Sequence, residues 1–118
     1  MQNVKVMRAS EAIGETVINA QGEDLGEIAD VVLDAETGQI RYVVLSFGGF
    51  LGVGDKLFAI PWNSFKYVPE EKIYVLDMDT ERLTSAPGFD PNNWPDMESA
   101  NWGEEVHEYY GHKPFWQI

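Results

Sequence analysis

The segment Ile40-Arg41-Tyr42-Val43-Val44-Leu45-Ser46-Phe47 is apolar on both of its alternating faces. β-Branched and aromatic residues at this density favour a strand, in which successive side chains point to opposite sides. A strand of this kind has to be buried against a core on one side and against further protein on the other, and the C-terminal tail is a candidate for that second cover. Its entry is equally constrained. Asp34-Ala35-Glu36-Thr37-Gly38-Gln39 reads as a turn in which Gly38 supplies a positive φ, so the segment pairs back onto Glu27–Asp34 as a hairpin. In the first arm Ala29, Val31 and Leu33 are expected on one face at period two, with Asp30 and Asp34 on the wetter one.

The rest of residues 1–79 continues in short strands: Thr16–Asn19, closed by Gln21-Gly22-Glu23-Asp24; Lys56–Ile60, stopped by Pro61; and Ser64–Val68 and Lys72–Leu76, joined by Pro69-Glu70-Glu71. Short sequential antiparallel strands leave exposed edges unless the sheet curls closed. The expected fold is therefore all-β, a small β-barrel of about six short, mostly antiparallel strands.

Residues 80–118 form a different stretch, with Pro87, Pro91, Pro95 and Pro114 and the aromatics Phe89, Trp94, Trp102, Tyr109, Tyr110, Phe115 and Trp116. A disordered linker is poor in aromatics, so this extension is expected to be ordered and docked, partly helical and partly irregular. Asp79 is placed to cap a helix that Pro87-Gly88 ends, and Asp96 to cap a second. In that second helix Trp102, Val106 and Tyr109/Tyr110 make an apolar stripe opposite Glu104, Glu105 and Glu108, and Gly111 ends it. The domain division expected is a barrel over 1–79 and an extension over 80–118, packed on the barrel or on a second subunit.

Composition narrows the function. With 8 Lys+Arg against 20 Asp+Glu the net charge is −12, which argues against nucleic acid and against anionic membrane surfaces. The absence of cysteine excludes thiol catalysis and Cys-ligated metals. The longest uncharged stretch, Tyr42–Gly54, is rich in glycine and far short of the roughly 20 apolar residues that a spanning helix needs, so no membrane insertion is expected. No targeting segment is legible, and the chain is expected to be cytoplasmic.

At this point Asp24-Leu25-Gly26-Glu27-Ile28-Ala29-Asp30-Val31-Val32-Leu33-Asp34, Thr37-Gly38-Gln39-Ile40-Arg41-Tyr42-Val43-Val44-Leu45 and Gly54-Asp55-Lys56-Leu57-Phe58-Ala59-Ile60-Pro61-Trp62 together resemble the PRC-barrel family over roughly residues 8–80. The resemblance implies a small β-barrel, as in the cytoplasmic part of the photosynthetic reaction centre H subunit and the C-terminal part of the ribosome maturation factor RimM. In both, the barrel acts by touching other proteins. The extension is similar to that of stand-alone bacterial members. Seven residues precede Arg8 in this sequence, where those two proteins carry a transmembrane helix or a second domain, so neither full role is expected to transfer. The resemblance offers no catalytic residue to place here. It leaves a reaction-centre-type accessory role and binding to a ribosomal protein as alternatives to a general adaptor.

Residue chemistry gives each catalytic reading a plainer rival. Gly49 and Gly54 stand five apart with Lys56 behind, but Gly54 precedes Asp55 and a strand, whereas a phosphate loop needs Gly-Lys-Ser/Thr and a helix. A strand connection explains the glycines. His107 with Glu104 has one copy of a spacing that metal-binding bundles use twice, and His107 and His112 fall on different helical faces. The reading favoured for His107 is a surface histidine on an acidic helix. Asp30, Asp34 and Glu36 lack the twelve-residue pattern of a calcium loop. No catalytic residue, metal site or cofactor is assigned, and the chain is expected not to be an enzyme.

The expected function is that of a non-catalytic protein-interaction or adaptor module, with a protein partner that the residues do not identify. Its contacts are expected at Phe50, Leu51, Trp62, Trp94, Trp102, Tyr109, Tyr110 and Trp116. The tail aromatics can cover the barrel within one chain or cross to a second copy, and a symmetric homodimer is the expected assembly.

Overall fold

A computed structural model of the chain describes residues 6–48 and 55–113. A short helix, α1 (Ala9–Ala12), precedes four strands: β1 (Thr16–Ile18), β2 (Asp24–Leu33), β3 (Ile40–Gly48) and β4 (Asp55–Pro61). A single 3₁₀ turn at Trp62–Ser64 leads to β5 (Phe65–Val68) and β6 (Ile73–Leu76), and the helices α2 (Thr80–Thr84) and α3 (Ala100–Tyr109) follow. The strands form one sheet in the order β4-β3-β2-β1-β6-β5. Every pairing is antiparallel except β1 with β6, which is parallel. The sheet curls into a half-barrel, and among the described residues no ladder joins its edges β4 and β5.

The turns follow from local chemistry. Asn19, 1% exposed, accepts at Oδ1 from the backbone N–H groups of Gln21 and Glu23 and donates from Nδ2 to Glu23 Oε1, which pins the β1–β2 reversal. In the β2–β3 hairpin Asp34 Oδ1 accepts from the N–H groups of Glu36 and Thr37, and Gly38 takes φ +77° as expected. Arg41 returns from β3 to hold Asp34 Oδ2 at 3.1 Å.

β2 departs from simple alternation. Its register slips against β1 between Val17 and Ile18 and against β3 between Ile28 and Asp30, each slip adding one residue to β2. The inward side chains are consequently Leu25 and Ile28, with Val31 packed against the same core. Ala29, expected on the core-facing side, is the residue added by the second slip and falls outside the core, whereas Leu33 keeps the phase of Val31 but is 53% exposed at the hairpin end of the strand, where a further slip adds Arg41 to β3. Gly26 (φ +110°) lies where a Cβ would collide with the carbonyl oxygen of Ser46 on β3, so only glycine fits.

The concave face of the sheet is filled by Val17, Leu25, Ile28, Val43, Leu45, Phe58, Ile60 and Tyr74, with Leu83 from α2 and Ala12 from α1. The two-faced apolar strand has the double cover its sequence demands. Tyr42 on the convex side of β3 and Ala59 on β4 are buried beneath Val106 of α3, with Trp102, Tyr110, Phe89 and Met97 around them. The extension thus docks within its own chain. Its backbone also pairs with the edge of the sheet, where Leu57 N–H donates to Phe89 O at 2.9 Å and Phe89 N–H to Leu57 O at 2.8 Å. That covering occupies the side of β4 that full closure would have used.

Both tail helices have caps. Asp79 accepts from Arg82 N–H at the start of α2, as its position predicts. For α3 the cap is Ser99, which accepts from Trp102 N–H, while Asp96 accepts from Glu98 N–H in the preceding turn. The expectation for Asp96 is therefore corrected: it starts the turn that leads into the helix.

Candidate docking surface

Trp62 occupies the 3₁₀ turn because Pro61 ends β4 and the chain must change direction there. Its ring meets Tyr74 edge-on at 6.2 Å, which anchors one edge in the core. The remainder separates two hollows. One, of about 660 Å³, is largely apolar and is lined by Val6, Met7, Glu11, Ile40, Trp62, Tyr67 and Pro69. Val6 is 87% exposed and Met7 38%, although the Tyr74 hydroxyl donates to Met7 Sδ at 3.4 Å. The other, of about 370 Å³, is polar and includes Gln39, Arg41, Asn63, His107 and Lys113.

The charged residue in the wall of the apolar hollow is Glu11. Glu11 pairs with Arg8 at 2.8 Å, and this bond holds its carboxyl below the usual range. Burial pushes the Glu15 carboxyl up against the opposing pull of Lys72, and its Oε2 is buried without a hydrogen-bond partner. Burial raises the Tyr67 phenol, with the carboxylates of Glu15 and Glu11 adding to the effect. Glu70 and Glu71 follow Pro69 in an exposed turn.

The residues singled out from sequence fall into three groups. Phe50, Leu51 and Trp116 lie outside the described residues. Trp102, Tyr109 and Tyr110 pack inside the chain. Trp102 meets the Tyr42 ring at 5.1 Å. The Tyr109 hydroxyl donates to Arg82 O, Arg82 Nη2 donates to Tyr109 O at 2.8 Å, and the guanidinium lies 4.5 Å from the Tyr109 ring centre. Tyr110 joins both apolar clusters, and burial drives its phenol far above the ordinary range. Trp62, half-buried like those three, lines both hollows, and Trp94 is the exposed member of the set. Trp94, 41% exposed, is steadied by Phe89 at 5.0 Å and by its own Nε1–H donating to Pro91 O, and it does not line the hollow beside Trp62.

Sequence reasoning missed Val6, Met7, Ile40, Tyr67 and Pro69 as parts of one surface. The usable signal is the apolar pair Val6-Met7 ahead of the first strand, which belongs to neither an alternating nor a helical apolar pattern. His107 also needs correction. It is 4% exposed, with Nδ1 bonded to Gly103 O at 2.8 Å and its ring edge-on to Tyr42 at 5.3 Å. The helix turns it toward the sheet beside Val106, so it is a core residue of the α3 interface. Among the described residues no three His, Asp or Glu side chains come together to hold a metal ion, and no helix is long and apolar enough to cross a membrane.

Residues 5–83 match the model of the PRC-barrel domain, and the chain belongs to that family. A search among curated proteins found no match.

Proposed function

We propose that this member of the PRC-barrel family is a non-catalytic docking module that grips a protein partner by an apolar side chain seated between Trp62, Met7 and Tyr67. The observation that carries this reading is the continuous apolar hollow with Val6 standing 87% exposed at its margin, in a chain whose other apolar sheet face is covered by its own extension. An aromatic wall with one edge fixed in a core is a rigid anchor site, which costs little entropy to organise. Charge selects the rest of the partner. A net charge of −12, with Glu11 in the wall of the hollow, favours a segment in which the apolar anchor is flanked by Lys or Arg.

The test uses the full chain as bait in extract of the native cell, followed by titration calorimetry with the purified partner. The expected result is a partner with a basic flank whose binding weakens with salt and falls at least about tenfold in Val6→Asp and in Trp62→Ala, costs within the range for interface anchors. Val6→Asp alters an exposed side chain and leaves the core intact, so it separates lost docking from lost folding. Unchanged affinity in both variants refutes the proposal. Sedimentation of the isolated protein examines self-association: a dimer dispersed by Val6→Asp makes a second copy the occupant and overturns the basic-partner assignment.

A further inference from the structure

Met7 brings a thioether sulfur to the wall of the docking hollow. The residue is 38% exposed, so its side chain is open to small solutes. The other two methionines among the described residues are half-buried: Met78 packs against the main core, and Met97 against the cluster that contains Tyr42 and Val106. Thioether oxidation follows exposure, which sets Met7 apart.

The sulfur is also oriented. The Tyr74 hydroxyl donates to Met7 Sδ at 3.4 Å from a side chain that is itself fully buried. The rings of Trp62, Phe65 and Tyr67 surround that of Tyr74, with centroids at 6.2, 6.2 and 4.6 Å, and hold the phenol in place. A thioether sulfur is a weak acceptor, and it carries two lone pairs. Tyr74 engages one of them from the core side and leaves the other to the hollow that Met7 lines.

We infer that Met7 is a peroxide-sensitive modification site whose sulfoxide closes the docking hollow, an inference that rests on the docking reading above. The co-reactant is hydrogen peroxide. The lone pair of Sδ on the hollow side attacks one peroxide oxygen, and an S–O bond forms as the O–O bond breaks. The hydroxide that departs takes the proton of the transferred oxygen and leaves as water, so the sulfur is oxidised by two electrons and the peroxide is reduced by the same two. Tyr74 shields the other lone pair, and the oxygen therefore arrives facing the hollow. There it is a polar acceptor in a largely apolar wall. An apolar anchor that enters strips this oxygen of water and offers no donor in return. Docking is thus switched off by peroxide and restored when the sulfoxide is reduced.

The test treats the full chain with dilute hydrogen peroxide and maps the product by proteolysis and mass spectrometry. Met7 should be oxidised at least about fivefold faster than Met78 or Met97. The digested peptides are then offered to the two sulfoxide reductases, each of which accepts one epimer. One enzyme should reduce most of the Met7 peptide, whereas Tyr74→Phe, which loses only the hydroxyl, should yield both epimers in comparable amounts. Docking is read with Nile red, a neutral apolar dye, whose binding to the unmodified chain should weaken in Val6→Asp. After peroxide its affinity should fall about tenfold, the equivalent of one buried acceptor left unsatisfied, and in Met7→Leu it should not change. Oxidation of Met7 no faster than that of Met78 and Met97, an even mixture of epimers in the wild type, or an equal fall in Met7→Leu overturns the inference. Dye bound equally by the unmodified and the oxidised chain refutes the Met7 switch and leaves the docking reading standing. An unmodified chain that binds no dye refutes the hollow itself and the switch with it.

Discussion

Removing a single oxygen from the middle of the α3 interface should make this protein more stable. Tyr42 is fully buried, its ring is held by edge contacts with Trp102 and His107, and its hydroxyl is buried with no hydrogen-bond partner. In the unfolded chain that hydroxyl is hydrated, so folding strips it of water without return, at a cost of about 1–3 kcal/mol. Tyr42→Phe keeps the ring and its contacts. The gap left by one oxygen costs roughly 0.3 kcal/mol, taking about 24 cal/mol per Å³ of cavity. The net expectation is a gain of about 1 kcal/mol. With an unfolding entropy of about 2.1 cal/mol/K per residue, a chain this long should gain about 4 °C in Tm. Urea and thermal melts at neutral pH, with an unchanged urea slope, measure it. An alkaline series adds a second reading. Burial pushes the Tyr42 phenol up to about 12, whereas in the unfolded chain it ionises near 10. Stability is thus highest below about pH 10 and falls as the pH rises toward about 12, because only the unfolded chain can ionise there. The Phe variant should lose part of that decline and keep the share due to Tyr74, also raised to about 12 by burial. A Tm lowered by several degrees would mean that the hydroxyl contributes a bond, and the reasoning would fail.

Two further expectations concern the sheet. Gly26→Ala places a methyl group against the Ser46 carbonyl at φ +110°, and should destabilise by about 3 kcal/mol, the upper range for forced overpacking, as read from the urea midpoint. Asp34 is held below the usual carboxylate range chiefly by the Thr37 N–H, with Glu36 N–H and Arg41 adding to it. Its contribution is present above the unfolded value near 3.9 and lost as the pH falls through the folded one, so Asp34→Asn should flatten the acid limb of a stability-versus-pH curve.

Much of the architecture was legible because local chemistry sets it. Gly38, Pro61 and Asp79 act through their own backbone preferences or nearest amides, and each ends or starts an element where its type predicts. The two-faced apolar character of β3 likewise required an outer cover, which α3 provides. The misreadings come from quantities that no short window contains. The place of Ala29 outside the core and of Leu33 beyond its end depends on register slips that only pairing with the neighbouring strands can define. The burial of His107 depends on the angle at which α3 meets the sheet, which admits Gly103 and His107 beside the expected stripe. The hollow at Trp62 gathers Met7, Ile40, Trp62 and Tyr67 from four separated stretches of chain, and only curling of the sheet brings them together. The aromatics were recognised as unusual, but composition cannot tell an inward ring from an outward one. Trp102, Tyr109 and Tyr110 pack against the chain's own clusters, and Trp62 packs on the core while lining the hollow.

The parallel pairing of β1 with β6 also dictates an order of assembly. A four-strand meander and the β5–β6 hairpin are joined in the sheet only through the three-residue β1, which meets Ile73–Val75. During synthesis the meander can form while the chain is still being extended, but its first strand keeps an unpaired side until Ile73–Leu76 has emerged. With the meander already paired, joining β6 to β1 closes the stretch from Pro61 to Ile73, about 12 residues. The length-dependent part of that closure costs about 2.2 kcal/mol, before the new hydrogen bonds repay it. The rate-determining event in folding should therefore be the late docking of the β5–β6 hairpin onto β1, and a nascent chain that has not yet released Ile73–Leu76 would hold the four-strand meander with the β1 side of its sheet unpaired.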